Sequence, residues 1–432
     1  MATYGSYKDS GVKWLGQIPS HWGVGKMREF FSERKELSSE GTETLLSVSE
    51  YRGITPSVSD DGENISRSAS LVGYKKCKAS DLIINIMLAW KRGLAISQYD
   101  GIVSPSYCVF KTRNINPSYA NYLLRTDLYI SEFKRNSTGI IESRLRMYPD
   151  NFKNIQCIKP PIKEQEAIVE YLDKITGDID RAIEAQQKLI DALNERKQII
   201  ITNAVTRGFN PDAPLRDSGI DWLGQIPQHW EIKKLKSLAE IRGRIGFRGY
   251  TNADLVDEGD GAITLSPSNI IKGKMSYDKC SYLSWFKYNE SPEIKVKNGH
   301  ILFVKTGSSY GKTAFVSDLP MEATINPQFS LIKPSHINPN FLNFALSSEY
   351  FKAQVERGVI GSTIPTISQN VIGNFYILTP SNEEQDAIVF SLMTILSKID
   401  DSIYNCEKMI ALLQERKQII INEVVTGKKK VI

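Results

Sequence analysis

The sequence is poor in the residues that hold metals or disulfides. Four histidines and five cysteines occur in 432 residues. The cysteines (Cys77, Cys108, Cys157, Cys280, Cys406) are scattered, odd in number and never closely spaced. That excludes a disulfide framework and a thiolate zinc site, and it fits a reducing cytoplasm. No HExxH string is present, so metal catalysis has no visible ligands. Long apolar runs are missing too: the longest, around Leu82 to Trp90, is far too short to span a bilayer. The first residues, MATYGSYKDS, have neither a basic n-region nor an apolar h-region, so neither export nor a membrane partner is expected. A phosphate-binding loop is approached but not reached. GSSYGKT at residues 307–313 has three residues between its glycines where four belong, and AFVSDLP after it reads as strand and turn, not helix.

What the chain has in abundance is itself. SGVKWLGQIPSHW from Ser10 returns as SGIDWLGQIPQHW from Ser218, and 11 of 15 residues match between 8–22 and 216–230. KTRNINPSYANYLL from Lys111 faces KPSHINPNFLNFAL from Lys333, and ERKQII recurs unchanged at 195–200 and 415–420. At 432 residues more than one core is expected in any case. The repeat divides the chain into a tryptophan segment (1–22), a mixed domain (23–160), a helix (161–208), a linker with the second tryptophan segment (209–230), a second mixed domain (231–378) and a second helix (379–432).

The mixed domains carry short β-rich runs (Leu82 to Met87, Ile102 to Phe110, Ile301 to Lys305, Phe375 to Leu378) between Gly, Pro, Asn and Asp punctuation. Each has one obvious helix, opened by Asn116-Pro117 or Asn338-Pro339 as cap and first residue. The long helices show a stronger signal. Ile168, Leu172, Ile175, Ile179, Ala182, Gln186, Leu189, Leu193, Arg196 and Ile200 follow the four-three spacing of a coiled coil. Ile388, Leu392, Ile395, Ile399, Ser402, Cys406, Met409, Leu413, Arg416 and Ile420 keep that register. Ser381 and Glu384 form a capping-box signature, and Gly208 and Gly427 suit the helix ends. Roughly 40 residues span about 60 Å, too long for one domain to cover. The expected architecture is therefore α+β: two tandem domains and two long helices packed as an antiparallel coiled coil, with the domains at opposite ends under pseudo-two-fold symmetry. Trp14, Trp22, Trp222 and Trp230, with Ile18 and Ile226, should seal equivalent joints between helix end and domain, and His21 and His229 should pack there.

Charge is segregated. Lys and Arg exceed Asp and Glu by four in residues 23–157 and again by four in 231–378, whereas residues 158–208 and 379–432 each carry one net negative charge. The basic domains present loops in which cations, aromatics and small polar residues mix. The candidate DNA contacts in the first domain are Tyr51, Arg52, Trp90, Lys91, Arg92, Tyr107, Arg144 and Arg146. In the second they are Arg242, Arg244, Arg248, Asn269, Lys305, Ser308, Ser309, Lys312, Gln328, Ser362 and Thr363. Cations position phosphates, and Arg, Asn, Gln, Ser and Thr can read base edges. Asn-Pro-x-aromatic strings at 116–119, 326–329 and 338–341, and a looser one at Ser104 to Tyr107, resemble the tetrapeptide with which amino-methyltransferases hold a flipped base. Each lacks the second proline, and helix capping accounts for two of them.

Taken together, the doubled WLGQIPxHW segment, DGIVSPSY, SRLRMYP, KEQEAIVEYL, NEEQDAIVFSL and ERKQII make the whole chain similar to the DNA-specificity subunit of type I restriction-modification enzymes. The resemblance implies two target-recognition domains, each reading one half of an interrupted site on double-stranded DNA. It implies helices that set the spacer and dock two methyltransferase subunits, to which motor-nuclease subunits are added. No cofactor is expected in this chain; S-adenosylmethionine and ATP with Mg belong to those partners. The domains differ strongly in their loops, so the target should be asymmetric. A coiled-coil scaffold that binds protein alone and a self-sufficient methyltransferase remain the rival classes. Steep weakening of DNA binding by salt separates out the first, and cofactor binding by the isolated chain would mark the second.

Overall fold

Two units make up the chain: Met1–Gln187 with Glu407–Ile432, and Lys188–Cys406. The computed structural model describes residues 3–50, 52–57, 70–220, 222–358 and 366–431.

In the first unit an antiparallel sheet joins β1 (Phe31–Glu33), β2 (Leu82–Asn85), β3 (Leu94–Ile96) and β4 (Tyr107–Thr112) in the order β1-β4-β2-β3. The LIIN run of β2 is buried throughout because both faces of the sheet are covered. Leu82 and Ile84 enter the main core with Phe110, while Ile83 joins Val109, Ala95 and Val103 in a smaller cluster. The expected run from Ile102 to Phe110 is interrupted at Ser104 to Ser106, where a turn separates Gly101–Val103 from β4. Helix α1 (Pro117–Leu124) follows, with Asn116 Oδ1 accepting from Tyr119 N–H at 3.1 Å. The first half of α2 (Ile162–Arg207) completes the unit.

The second unit repeats this order. β5 (Ala239–Gly243), β6 (Ile301–Val304), β7 (Thr313–Phe315) and β8 (Phe329–Pro334) pair as β5-β8-β6-β7. The same alternation sends Ile301 and Phe303 into one core and Leu302 and Val304 into another. Helix α3 (Pro339–Ser347) is capped by Asn338, which accepts from Asn340 and Phe341 N–H. The unit then leads into α4 (Asn382–Val425). It adds a second sheet of Leu255–Val256, Gly261–Leu265, Ser281–Ser284 and Ala323–Ile325, in which the last strand runs parallel to Gly261–Leu265.

Within each unit the two rods run antiparallel. Trp22 lies against Gly427, just past the end of α4, and donates from Nε1 to Glu164 Oε2 in the first turns of α2 at 3.0 Å. Trp230 in the second unit lies against Gly208 and donates to Glu384 Oε2 at 3.1 Å. Both tryptophans are buried, as expected of sealed joints. His21 and His229 differ from expectation: each is about half exposed and places Nε2 beside the same glutamate, at 2.8 and 2.9 Å. The glutamate is held by the tryptophan segment, so Glu384 receives the Ser381 hydroxyl cap only through its own N–H, at 3.3 Å.

The seam also corrects the expected spacing. Leu189, Arg196, Ser402, Met409 and Arg416 face solvent. Of the expected seam, Leu172, Leu392, Cys406 and Ile420 are buried, and an eleven-residue series runs through both rods: Ile168, Ile179, Ile190 and Ile201 in α2, and Ile388, Ile399, the half-buried Ile410 and Ile421 in α4. Eleven residues make three turns at 3.67 per turn, close to the natural 3.6, whereas a seven-residue repeat drifts about 20° per heptad on a straight helix. Lys197 and Lys417, each next to one of the misplaced arginines, lie closer in and bond to Asp400 and Asp180 of the opposing rod, one pair in each unit.

Candidate nucleic-acid interface

Three chain segments meet at the same edge of the sheet in both units. In the first, the loop after β2 (86–93) receives the segment 138–147, with Met147 N–H donating to Ile86 O at 2.8 Å. The turn before β4 lies alongside, Tyr107 facing Asn85 in the ladder. In the second, Ile367 N–H donates to Lys305 O at 2.9 Å and Lys305 N–H donates to Gln328 O at 2.8 Å. The repeat therefore constructs one edge twice, with different side chains on each.

On the edge of the first unit, Trp90 sits half-buried in a 3-10 turn (Ala89–Lys91), its Nε1 donating to Met87 O at 3.0 Å. Lys91 Nζ stands 4.7 Å above the indole and Lys134 Nζ 5.4 Å, so the ring face is cationic. Arg92 takes a left-handed backbone (φ 59°), pairs with Asp127, and donates to Arg125 O at 3.3 Å. Arg144 is exposed; Arg146 is half-buried, its backbone bonded both ways to Thr138 at 2.9 Å. Tyr107 packs against the smaller cluster. Arg52 is exposed at the turn between Leu46–Ser49 and Gly53–Pro56, away from these loops in sequence, and Tyr51 lies outside the described residues.

On the edge of the second unit, Lys305, Ser308, Ser309, Lys312 and Gln328 are brought together by the β6–β7 loop and the turn before β8. That loop leads into a strand, so no helix end faces a phosphate there. Gln328 is exposed and its N–H donates to Asn326 Oδ1 at 3.0 Å; the Asn-Pro string here is a turn. Ser362 and Thr363 lie outside the described residues, although Thr366 just after them pairs with Thr306 across a bridge.

Four of the candidates in this unit are engaged elsewhere. Arg244 is buried, bonded through Nε and Nη2 to Ile325 O and through Nη2 to Thr324 Oγ1, and lies over the Tyr250 ring at 5.1 Å. Burial pushes its guanidinium below the usual range. Asn269 is likewise buried, its Oδ1 accepting from Ser266 N–H at 2.9 Å; it shapes its turn. Arg242 is exposed but paired with Glu240 at 2.6 Å, and Arg248 lies 3.4 Å from Glu293.

Sequence reasoning missed Gln369, whose side chain lies beside Lys305, because no motif surrounds it. It also missed the Glu-Gln pairs that open both long helices. Gln165 Oε1 accepts from Asn116 N–H at 2.8 Å while its Nε2 donates to Pro160 O, and Gln385 repeats both bonds with Asn338 and Pro380. The strings KEQEAIV and NEEQDAIV carried that signal. Among the described residues there is no cluster of three or more His, Cys, Asp or Glu fit for a metal ion, and no helix is long and apolar enough to cross a membrane.

Residues 227–413 match the type I restriction modification DNA specificity domain. The MjaVIII type I specificity subunit of Methanocaldococcus jannaschii is 26% identical over 98% of this chain and 97% of its own. The MjaIX specificity subunit of the same organism is 21% identical over 96% and 95%. A solved structure concerned with complex assembly and conformational transition of the type I R-M system has the same fold, with a TM-score of 0.68 at 15% identity, covering 94% of this chain and 98% of its counterpart.

Proposed function

The chain belongs to the type I restriction-modification DNA-specificity family, and from that premise we propose that its two sheet edges read the two halves of an asymmetric, interrupted DNA site. It is the non-catalytic DNA-specificity component of such a system. The observation that carries the proposal is the doubled edge: one topology, built twice, with unlike side chains at matching places. Trp90 and Lys91 stand in one loop where Ser309 and Tyr310 stand in the other, and Ser104-Pro105-Ser106 answers Asn326-Pro327-Gln328. Unlike readers select unlike half-sites, because base edges differ in their donor and acceptor pattern. Exposed cations such as Lys91, Arg144 and Lys312 would hold phosphates and fix the register on the duplex.

The long helices set the distance between half-sites and dock two methyltransferase subunits, to which motor-nuclease subunits attach. Apolar side chains left in solvent support docking: Ile199, Phe390 and Met393 in the second unit, and Met409, Leu412 and Ile419 in the first. S-adenosylmethionine, ATP and Mg are held by those partners, and the assembly works in the cytoplasm. Single-molecule mapping of methylated bases in cells with and without this chain tests the reading. The expected result is one interrupted, non-palindromic motif that depends on the chain; a palindromic motif, or methylation indifferent to the chain, overturns it.

A further inference from the structure

Lys305 is a half-buried ammonium at the junction of three segments, and among the described residues no carboxylate lies within ion-pair distance of it. Lysine is a donor only, with three N–H groups and nothing to accept. Burial pushes it below its ordinary range, a desolvation cost that no carboxylate among the described residues offsets by an ion pair. Its surroundings are polar and tailored. A Cβ on Gly243 would come within 2.2 Å of Gln369 Nε2 and 3.4 Å of Lys305 Nζ, so glycine there leaves room for both side chains. Gly243 and Phe303 both pair with Ser330, and Lys305 follows Phe303 by two residues, which places all four on one face of the sheet. The Ser330 hydroxyl is buried and has no hydrogen-bond partner there. At the matching place in the first unit stands Ile86, packed against the core.

We propose that Lys305, with the Gln369 amide beside it and its backbone held by Gln328 O, reads a guanine in the half-site of the second unit by donating to O6 and N7 from the major groove. This rests on the DNA-specificity reading above. An exposed cation on a rim suits a phosphate. A recessed ammonium with the Gln369 amide beside it suits the acceptor edge of a base.

The test uses the full chain with its methyltransferase subunits, comparing wild type, Lys305→Met and Gln369→Ala by genome-wide methylation mapping. In Lys305→Met one half-site and the spacer should persist, while a single G·C pair in the other half loses roughly ten- to a hundredfold of its discrimination. Gln369→Ala should relax the same pair less. The melting temperature of purified Lys305→Met should hold or rise, because an unpaired ammonium has been removed. An unchanged motif overturns the proposal. So does an equal decline at every site with the motif intact, which marks a phosphate contact. A fall of many degrees in melting temperature with loss of all methylation makes Lys305 structural. Absence of sequence-specific methylation by wild type is a separate failure, that of the parent reading, and takes this one with it.

Discussion

Two glycines close the helix ends, and the space around them is unequal. Both have left-handed backbones, with φ of 71° at Gly208 and 77° at Gly427, where a side chain costs about 1–2 kcal/mol. A Cβ at 427 would also press to 2.5 Å on Pro19 and 2.9 Å on Trp22, whereas at 208 its nearest neighbours stand at 3.3 and 3.4 Å. Gly427→Ala should therefore destabilise by about 3 kcal/mol or more and Gly208→Ala by about 1–2, read as the difference in urea unfolding. His300 offers a second residue-scale check. Burial first, then Lys333 and Lys297, depress its imidazole from 6.5 to about 4, and Nδ1 accepts from Lys297 N–H at 3.1 Å, a bond the neutral ring makes. The folded state thus holds fewer protons than the unfolded one between those values. The contribution is complete above about pH 6.5 and is lost as pH falls towards about 4. Between pH 7 and 4.5 wild type should lose roughly 3–6 °C more melting temperature than His300→Gln. The asparagine caps and the buried tryptophans were legible in the sequence because each signal is local. The partners of Lys305 and Arg244 were not, because they come from a helix and a strand 64 and 81 residues away in the chain, Gln369 and Ile325.

At the scale of elements, the two rods were legible from apolar periodicity, and their period was not. Four-three spacing and an eleven-residue repeat agree over the first three turns and part company only later, so Ile168 to Ile179 fits either pattern. The choice is made where two apolar residues sit side by side, at Leu189-Ile190 and Met409-Ile410, and sequence alone has no means of ranking them. The structure ranks them: Ile190 is 7% exposed and Leu189 46%. Ile190→Ala should cost about 2–4 kcal/mol, as for a buried aliphatic residue, and Leu189→Ala no more than about 0.5. Equal losses in thermal unfolding would restore the seven-residue seam. The same shift moves the polar members of the seam from the arginines of ERKQII to its lysines, whose partly exposed pairs with Asp180 and Asp400 are worth about 1 kcal/mol or less each. Register is consequently fixed by isoleucines at eleven-residue intervals more than by charge.

At the scale of the whole molecule, duplication would let one chain address the proposed asymmetric target: the joints and rods are kept alike while the edges diverge. The four-stranded sheets were visible as scattered β-rich runs, but the second sheet of the second unit was hidden, since strands as short as Leu255–Val256 carry no periodicity to detect. If the rods set the distance between half-sites, their length is the adjustable quantity, and the seam dictates the permitted step. Eleven residues added to α2 and eleven added to α4 at the facing position keep the eleven-residue series of isoleucines inward. They lengthen the pair by about 16 Å, equivalent to at most about five base pairs of duplex. The methylated motif of that variant should retain both half-sites and widen only its interruption. Five residues added at the same places turn the apolar stripe by roughly 140° and should give an unfolded or aggregated chain. A properly folded eleven-residue variant with an unchanged interruption would remove spacing from the work of the helices and leave them to docking alone.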